Sequence, residues 1–272
     1  MALLTITAGI GSESLLIAQH IANRLSVRLY DDDRLQQEFL DMGLSLKDIE
    51  SLDEKAPGFF NRLLDLKPKS YQELLESVVY RVAQRGEGVI IGHGSPFLLQ
   101  DFGCALHVRI YSSETQRVKR IAQEWKIDEI NAQKAIRKSD SDRRGFMEYA
   151  FNISWDDPGL YDLIVNTDKL GYETAAEMII AVASSDIINS CSLTALETMK
   201  RYSLEKRIEA VVKKTLLVPK NVQVSVTDDG HVTLTGVMNP LESQDRLLDA
   251  VRSVPGVIDI AAKIASEKIH DI

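Results

Sequence analysis

The sequence predicts an α/β protein: a parallel sheet covered by helices on both faces, followed by a small α+β unit of order αββαβ. Three observations carry this reading. Short apolar, β-branched runs at 3–7, 27–30, 88–91, 105–111 and 162–166 alternate with amphipathic helical patterns, as strands buried on both faces and their crossover helices do. The stretches 222-VQVSVT-227 and 231-HVTLTG-236 each alternate with period two around Asp229-Gly230, the signature of a β-hairpin. Composition also shifts after Ser185. The chain is therefore divided into a first domain at 1–185, a linker at 186–202 and a second domain at 203–272.

The elements follow in order. After the first strand, apolar residues at 15, 16, 17, 18, 21, 22 and 25 predict a helix with a wide buried face. The strand at 27–30 closes on Asp31-Asp32-Asp33, and a helix over 34–42 stops at Gly43. Ser45 and Asp48 resemble a capping box opening another short helix, and 55–70 is broken by Pro57, Gly58 and Pro68. A long helix ends at Gly86, and 88-GVIIGHG-94 reads as a buried strand entering a glycine turn. Ser113 caps the next helix, and another runs from about 128 through 137-RKSDSDRR-144. A helix is expected over 172–184, and a new one opens the second domain at 203. The second domain then continues through the hairpin, a helix starting at Pro240, and a last strand over 257–265.

Charge and cysteine usage narrow the function classes. The formal net charge of -8 argues against a general nucleic-acid binder, which needs a basic face. It leaves room for a nucleotide site built on a local basic cluster. No apolar run reaches the ~18 residues of a membrane span. The N-terminus lacks the basic region of a secretory signal. Cys104 and Cys191 have neither CxxC spacing nor a His/Cys cluster nearby, so they read as two reduced thiols in a cytoplasmic protein. No metal-ligand spacing and no Ser-His-Asp pattern is evident.

Ligands of such sheets bind at the carboxyl ends of the strands, which directs attention to 8–14, 31–33 and 92–95. The loop 7-TAGIGSES-14 lies between a strand and a helix. Its backbone N–H groups and the positive helix end favour an anion. Gly9 and Gly11 permit close backbone approach, and Ser12 and Ser14 offer hydroxyls to phosphate or Mg²⁺. The lysine of GxxxxGK[ST] is missing. An ordinary strand-to-helix turn would have the same composition. Asp31 can face a ribose, a base or Mg²⁺, or cap the following helix. Trp125 and Trp155 read as packing residues.

The stretches 88-GVIIGHGSPFLLQDFGCALHVRIYSSETQRVKRIA-122 and 137-RKSDSDRRGFMEYAFNISWDDPGLYDLIVNTDKLG-171 resemble the cytidylate-kinase-like family of P-loop nucleoside monophosphate kinase relatives, a likeness covering about 3–184. The C-terminal unit, with V-x-V-x-V, D-G, V-T-L-T-G and a final P-G-V, resembles a BON domain. The first resemblance implies a P-loop kinase-like sheet and phosphoryl transfer from ATP-Mg²⁺ to CMP or a similar nucleotide, done mostly by positioning and charge neutralisation. Arg143 and Arg144 match the family's lid arginines. Arg137 comes earlier on the same helix, within a segment at 134–144 holding five basic and two acidic residues. His93 stands near the expected acceptor phosphate. The second resemblance implies a lipid surface or small ligand as partner. Oligomeric state is not legible.

Three positions depart from the family pattern. The first loop usually reads S-R-x-x-G-S-G-G; here Ala8 replaces the arginine, and Glu13 and Ser14 replace two glycines. The family's G-R-G is Gly92-His93-Gly94, and histidine lacks the bidentate fork of arginine. A carboxylate ~4 Å from a phosphate charge costs about 4 kcal/mol at an effective dielectric of ~20, so Glu13 would weaken ATP unless it points away. Two functions remain open: an impaired nucleoside monophosphate kinase, and a catalytically degenerate nucleotide-binding or scaffolding module coupled to the BON domain.

Overall fold

The structure, a computed structural model, describes residues 3–42, 71–189, 193–216, 219–227, 229–239 and 241–266. The helix expected from Ser45 and the broken segment 55–70 lie outside them. By its contacts the chain forms two units, Met1–Arg34 with Arg85–Ser192, and Leu35–Gln84 with Leu193–Ile272.

The first unit is built on five parallel strands, β1 (Leu3–Ala8), β2 (Leu29–Tyr30), β3 (Gly88–Ile91), β4 (Ala105–Tyr111) and β5 (Leu163–Asn166), in spatial order β2-β3-β1-β4-β5. β1 pairs with β3 on one side and β4 on the other. The chain thus switches sides around β1, and the switch point of a parallel sheet opens a crevice at its carboxyl end. Helices α1 (Ser14–Leu25), α5 (Glu114–Trp125), α6 (Glu129–Phe151) and α7 (Thr167–Ala183) belong to this unit, with the short α4 (Ser95–Leu98) and α8 (Asp186–Asn189). Between β2 and β3 run α2 (Asp32–Asp41) and α3 (Tyr71–Ala83).

Leu4, Ile6, Ile17, Ile21, Val108, Ile110 and Ile179 form one buried cluster that joins the sheet to α1 and α7. Each such side chain contributes about 1.5–3 kcal/mol relative to exposure. The buried stripe of α1 is narrower than its pattern suggests: Ile17, Ala18, Ile21 and Ala22 are buried, whereas Leu15 and Leu16 are exposed. α6 is longer than expected and ends at Phe151, where Asn152 takes a left-handed cap at φ 54°. α7 begins five residues early because Asn166 caps it, and its helix is broken at Gly171, φ 67°. Trp155 is buried as expected, but Trp125 is half exposed at the end of α5. Cys104 is disulfide-bonded rather than a reduced thiol; spacing along the chain carries no information about pairing made by the fold. Cys191 lies outside the described residues. No described helix is long and apolar enough to cross a membrane.

His107 sits inside this unit on β4. Its Nε2 lies 3.1 Å from the Leu99 carbonyl, which can only accept. The proton therefore belongs on Nε2, and Nδ1 accepts from the Thr5 hydroxyl at 2.8 Å. Burial lowers the pKa of His107 below the usual 6.5, against the opposing charge of Asp162 and the Leu99 bond. A histidine whose folded pKa is depressed contributes stability above its unfolded pKa and loses it as pH falls toward the folded value. Urea midpoints are expected to drop between about pH 6.5 and pH 5, and His107→Gln is expected to flatten that limb. An equally steep limb in the variant would assign the acid sensitivity elsewhere.

The second unit carries a three-stranded sheet, β6 (Val222–Val226), β7 (His231–Met238) and β8 (Asp259–Ser266), in that order. β6 and β7 form the expected hairpin, antiparallel with Val226 opposite Val232, and β8 lies parallel to β7. Helices α9 (Leu193–Thr215) and α10 (Gln244–Arg252) complete the αββαβ order. Leu204, Ile208, Val212, Leu234, Leu247 and Val251 form its core. α9 is one continuous helix that begins inside the stretch read as a linker. Its partner is α3: Ser203 donates its hydroxyl to the Ser77 carbonyl at 2.8 Å, Lys206 lies 2.9 Å from Glu76, and Lys213 pairs with Glu73.

Candidate functional site

The loop after β1 lies at the switch point and leads into α1. Gly11 has φ 78° and Glu13 φ 63°, a left-handed conformation that disfavours an L side chain. Glu13 is the residue preceding α1 and makes no side-chain cap. The N–H groups of Ile10, Gly11, Ser12 and Glu13 donate to no partner among the described residues. Adjacent N–H groups left free at a helix start are the kind of donor an anion site uses.

The loop carbonyls, in contrast, are taken up by arginines. Arg117 on α5 donates through Nε to Ile10 O at 2.7 Å, and Arg120 through Nη1 to Gly11 O at 3.2 Å. Arg143 on α6 donates to Ala8 O. A Cβ on Gly9 would fall 2.5 Å from the Arg117 guanidinium, and one on Gly11 2.9 Å from the Arg117 carbonyl. Both glycines are thus required by the packing of α5 across the loop. The Arg117 guanidinium is itself fixed by a two-pronged bond to Asp140, at 2.8 and 2.7 Å. Ser12 is buried and its hydroxyl turns inward to Gly9 O at 2.7 Å. Its backbone N–H, not its hydroxyl, is what remains for a ligand. Ser14 is the first residue of α1 and half-buried.

Glu13 neither faces an uncompensated site nor points away as an ordinary helical residue. Its carboxylate lies 3.1 Å from Arg120 Nη2, with both side chains about three-quarters buried. The positive charge offsets the repulsion that an isolated carboxylate would exert on a phosphate.

A second cluster gathers at the ends of β2 and β3. Asp31 caps α2, accepting from Arg34 N at 3.0 Å, which satisfies the helix-capping alternative for this residue. Asp32 faces the site: its Oδ1 lies 2.8 Å from His93 Nε2. His93 holds φ 61° between Gly92 and Gly94, which are also left-handed, and a Cβ on Gly94 would fall 2.5 Å from the Phe151 ring. Burial raises the Asp32 carboxyl, but the His93 bond and the charges of His93 and Arg143 outweigh it, and its pKa lies below 3.8. Burial lowers the pKa of Arg143, opposed by Asp140 and Asp32 and reinforced by Arg117. Arg143 therefore belongs to both clusters.

Arg144 is exposed and lies 3.5 Å from Asp156, whose other oxygen is 2.5 Å from Arg109. Arg109 stacks on Trp155 at 5.1 Å. Arg137 stands on an exposed face, 3.0 Å from Glu114. The loop, Asp32, His93 and Arg143 are thus brought together through shared interactions, while Arg137 is engaged elsewhere. Sequence reasoning missed Arg117, Arg120 and Asp140. The only signal was the i, i+3 spacing of the two arginines on a helix that follows a buried strand.

A parallel sheet with a loop of free N–H donors at its switch point, backed by arginines from two helices, defines a kinase-like α/β protein. Residues 3–169 match the model of the cytidylate kinase-like family, and the chain belongs to that family. Residues 203–267 match the BON domain. A curated cytidylate kinase from Staphylothermus marinus is 26% identical over 183 residues, spanning 66% of this chain and 94% of its own. The crystal structure of an uncharacterized protein from Eubacterium ventriosum matches with TM-score 0.53 at 21% identity, covering 67% of this chain and 97% of that one.

Proposed function

We propose that the first unit binds ATP-Mg²⁺ on the loop after β1 and transfers the γ-phosphoryl group to CMP or a similar nucleoside monophosphate, at a reduced rate. The observation that carries this is the row of N–H groups from Ile10 to Glu13 without a partner among the described residues, while the carbonyls of Ala8, Ile10 and Gly11 are bonded to arginines. Bound ATP-Mg²⁺ would supply the phosphoryl group and a cation to neutralise its charge. A phosphate oxygen of the acceptor forms the new P–O bond, and the bond from the γ-phosphorus to the bridging oxygen breaks to release ADP. Loop N–H groups and Arg120 bind the donor phosphates. Asp32 and His93 orient the acceptor, and Arg143 and Arg144 neutralise charge developing on the moving group.

Nucleotide binding without transfer is the second reading. It is favoured by Ala8, whose side chain is buried and uncharged, and by His93, whose Nε2 is engaged by Asp32. Calorimetric titration with ATP-Mg²⁺ and then CMP, paired with a coupled assay for ADP release, separates the two. Saturable ATP binding with CMP-dependent ADP release is expected. Binding without release for CMP, UMP, dCMP and AMP would leave the second reading, and no ATP binding would remove both.

A further inference from the structure

The second unit contains a cavity of about 490 Å³ that phosphoryl transfer does not use. Among the described residues it is lined by the end of α2, by α3 and α9, and by Thr227, Asp229, Gly230, Pro255, Gly256 and Ile258. Its volume lies within the range of small-molecule sites. Among the described residues, four basic side chains line it, Arg81, Lys200, Arg201 and Arg207, against two carboxylates, Asp41 and Asp229.

Both carboxylates are engaged with neighbours. Asp41 accepts from Gln37 at 2.8 Å. Asp229 accepts from the Thr227 hydroxyl at 2.5 Å and lies 3.5 Å from His231. Arg81 lies 3.3 Å from Glu38. Arg207 has no such neighbour: it is 9% exposed, its Nε is buried without a hydrogen-bond partner, and it forms no ion pair among the described residues. Burial and the adjacent positive charge of Arg81 pull its pKa down to about 10. A buried guanidinium facing a second arginine, with no carboxylate among the described residues to answer it, destabilises a fold unless an anion fills the space. Gly256 borders the same space, and its φ of 100° is a backbone conformation that favours glycine.

We infer that this cavity is a binding site for a small phosphate-bearing molecule, held by the forked guanidinium of Arg207 with Arg81 and Lys200 around it. Guanidinium geometry matches phosphate oxygens in pairs, and the cavity has room for a substituent beyond the phosphate. The phosphate can belong to a soluble ester or a lipid headgroup. The enclosed position of Arg207 favours the soluble source.

The test uses the full chain, with inorganic phosphate and glycerol phosphate as probes and the backbone amide resonances of Gly230 and Gly256 as the readout. Saturable shifts at both glycines are expected, weakened at least tenfold in Arg207→Gln and less in Arg207→Lys, which keeps the charge but not the fork. They are expected to persist in Arg144→Ala. Shifts confined to Gly9 and Gly11 would overturn this inference and leave the nucleotide reading standing; shifts confined to Gly230 and Gly256 would support it and leave the nucleotide reading to the ATP-Mg²⁺ titration. Without phosphate, Arg207→Met is expected to raise Tm, because it removes the uncompensated charge. A lowered Tm would make Arg207 a structural residue and overturn the site. Sedimentation with phosphatidylglycerol vesicles, against phosphatidylcholine vesicles, is expected to retain none of the chain. Retention abolished by Arg207→Gln would assign the phosphate to a lipid and overturn the soluble source.

Discussion

Replacing both Arg143 and Arg144 with alanine is expected to lower CMP-dependent phosphoryl transfer at least a hundredfold, about 2.7 kcal/mol of transition-state stabilisation. The two arginines contribute through different surroundings, and single variants separate them. Arg144 is half exposed, and its neighbour Asp156 at 3.5 Å is already held by Arg109. Arg144→Ala should change stability by under ~0.5 kcal/mol, so any fall in kcat reports a role in the reaction. Arg143 donates to Ala8 O and sits between Asp32 and Asp140. Its removal takes the donor from the Ala8 carbonyl and one positive charge from beside Asp32 and Asp140, which keep their bonds to His93 and Arg117, with an expected loss of about 1–3 kcal/mol of stability. Arg143→Lys, which keeps the charge, should recover most of that stability but little of the rate, because lysine cannot reach phosphate and carbonyl in a fork. If kcat in Arg144→Ala stays within about twofold of the unaltered protein, the lid assignment fails for that residue. If the double variant loses activity only in proportion to its unfolded fraction, it fails for both.

The strands were the legible part of this fold, because a strand buried on both faces must be a near-continuous apolar run. The runs at 88–91 and 105–111 coincide with β3 and β4 for that reason. The early start of α9 was not legible: between Leu193 and Ser203 only Met199 and Ser203 are buried, so the segment shows no apolar stripe. Its pairing with α3 includes ionic contacts such as Lys206 with Glu76, which leave no periodic trace. The loop after β1 was legible as two glycines between a strand and a helix, but the need for those glycines was not. Arg117, more than a hundred residues away in the chain, fills the space over Gly9. The state of Glu13 depended likewise on Arg120, which only the crossover to α5 brings within 3.1 Å.

Glu13→Gly is expected to tighten ATP-Mg²⁺ binding about tenfold, or ~1.4 kcal/mol, without lowering stability. Two effects act in the same residue. The backbone at Glu13 is left-handed, φ 63° and ψ 18°, which disfavours an L side chain by roughly 1–2 kcal/mol. Glycine relieves this strain, at the expense of greater unfolded-chain entropy of about 0.4–1 kcal/mol. The lost ion pair with Arg120 is partly solvated and worth no more than about 1 kcal/mol, so the net change in stability should lie near zero or slightly above. Binding responds to charge instead. Removing the carboxylate releases Arg120 Nη2, now 3.1 Å from Glu13 Oε2, toward a phosphate on the loop. It also removes a repulsion that Arg120 only partly cancels. Glu13→Gln isolates this electrostatic part, since it removes the charge and keeps the strained backbone. It should reproduce most of the gain in affinity with none of the backbone relief. Ala8→Arg is not a useful companion change, because Ala8 is 4% exposed and a guanidinium placed there would be buried. The readout is the calorimetric Kd for ATP-Mg²⁺ beside the urea midpoint of each variant. Equal Kd in the unaltered protein, Glu13→Gly and Glu13→Gln would place the carboxylate outside the field of the bound phosphates. The reduced rate would then rest on Ala8 and His93 alone.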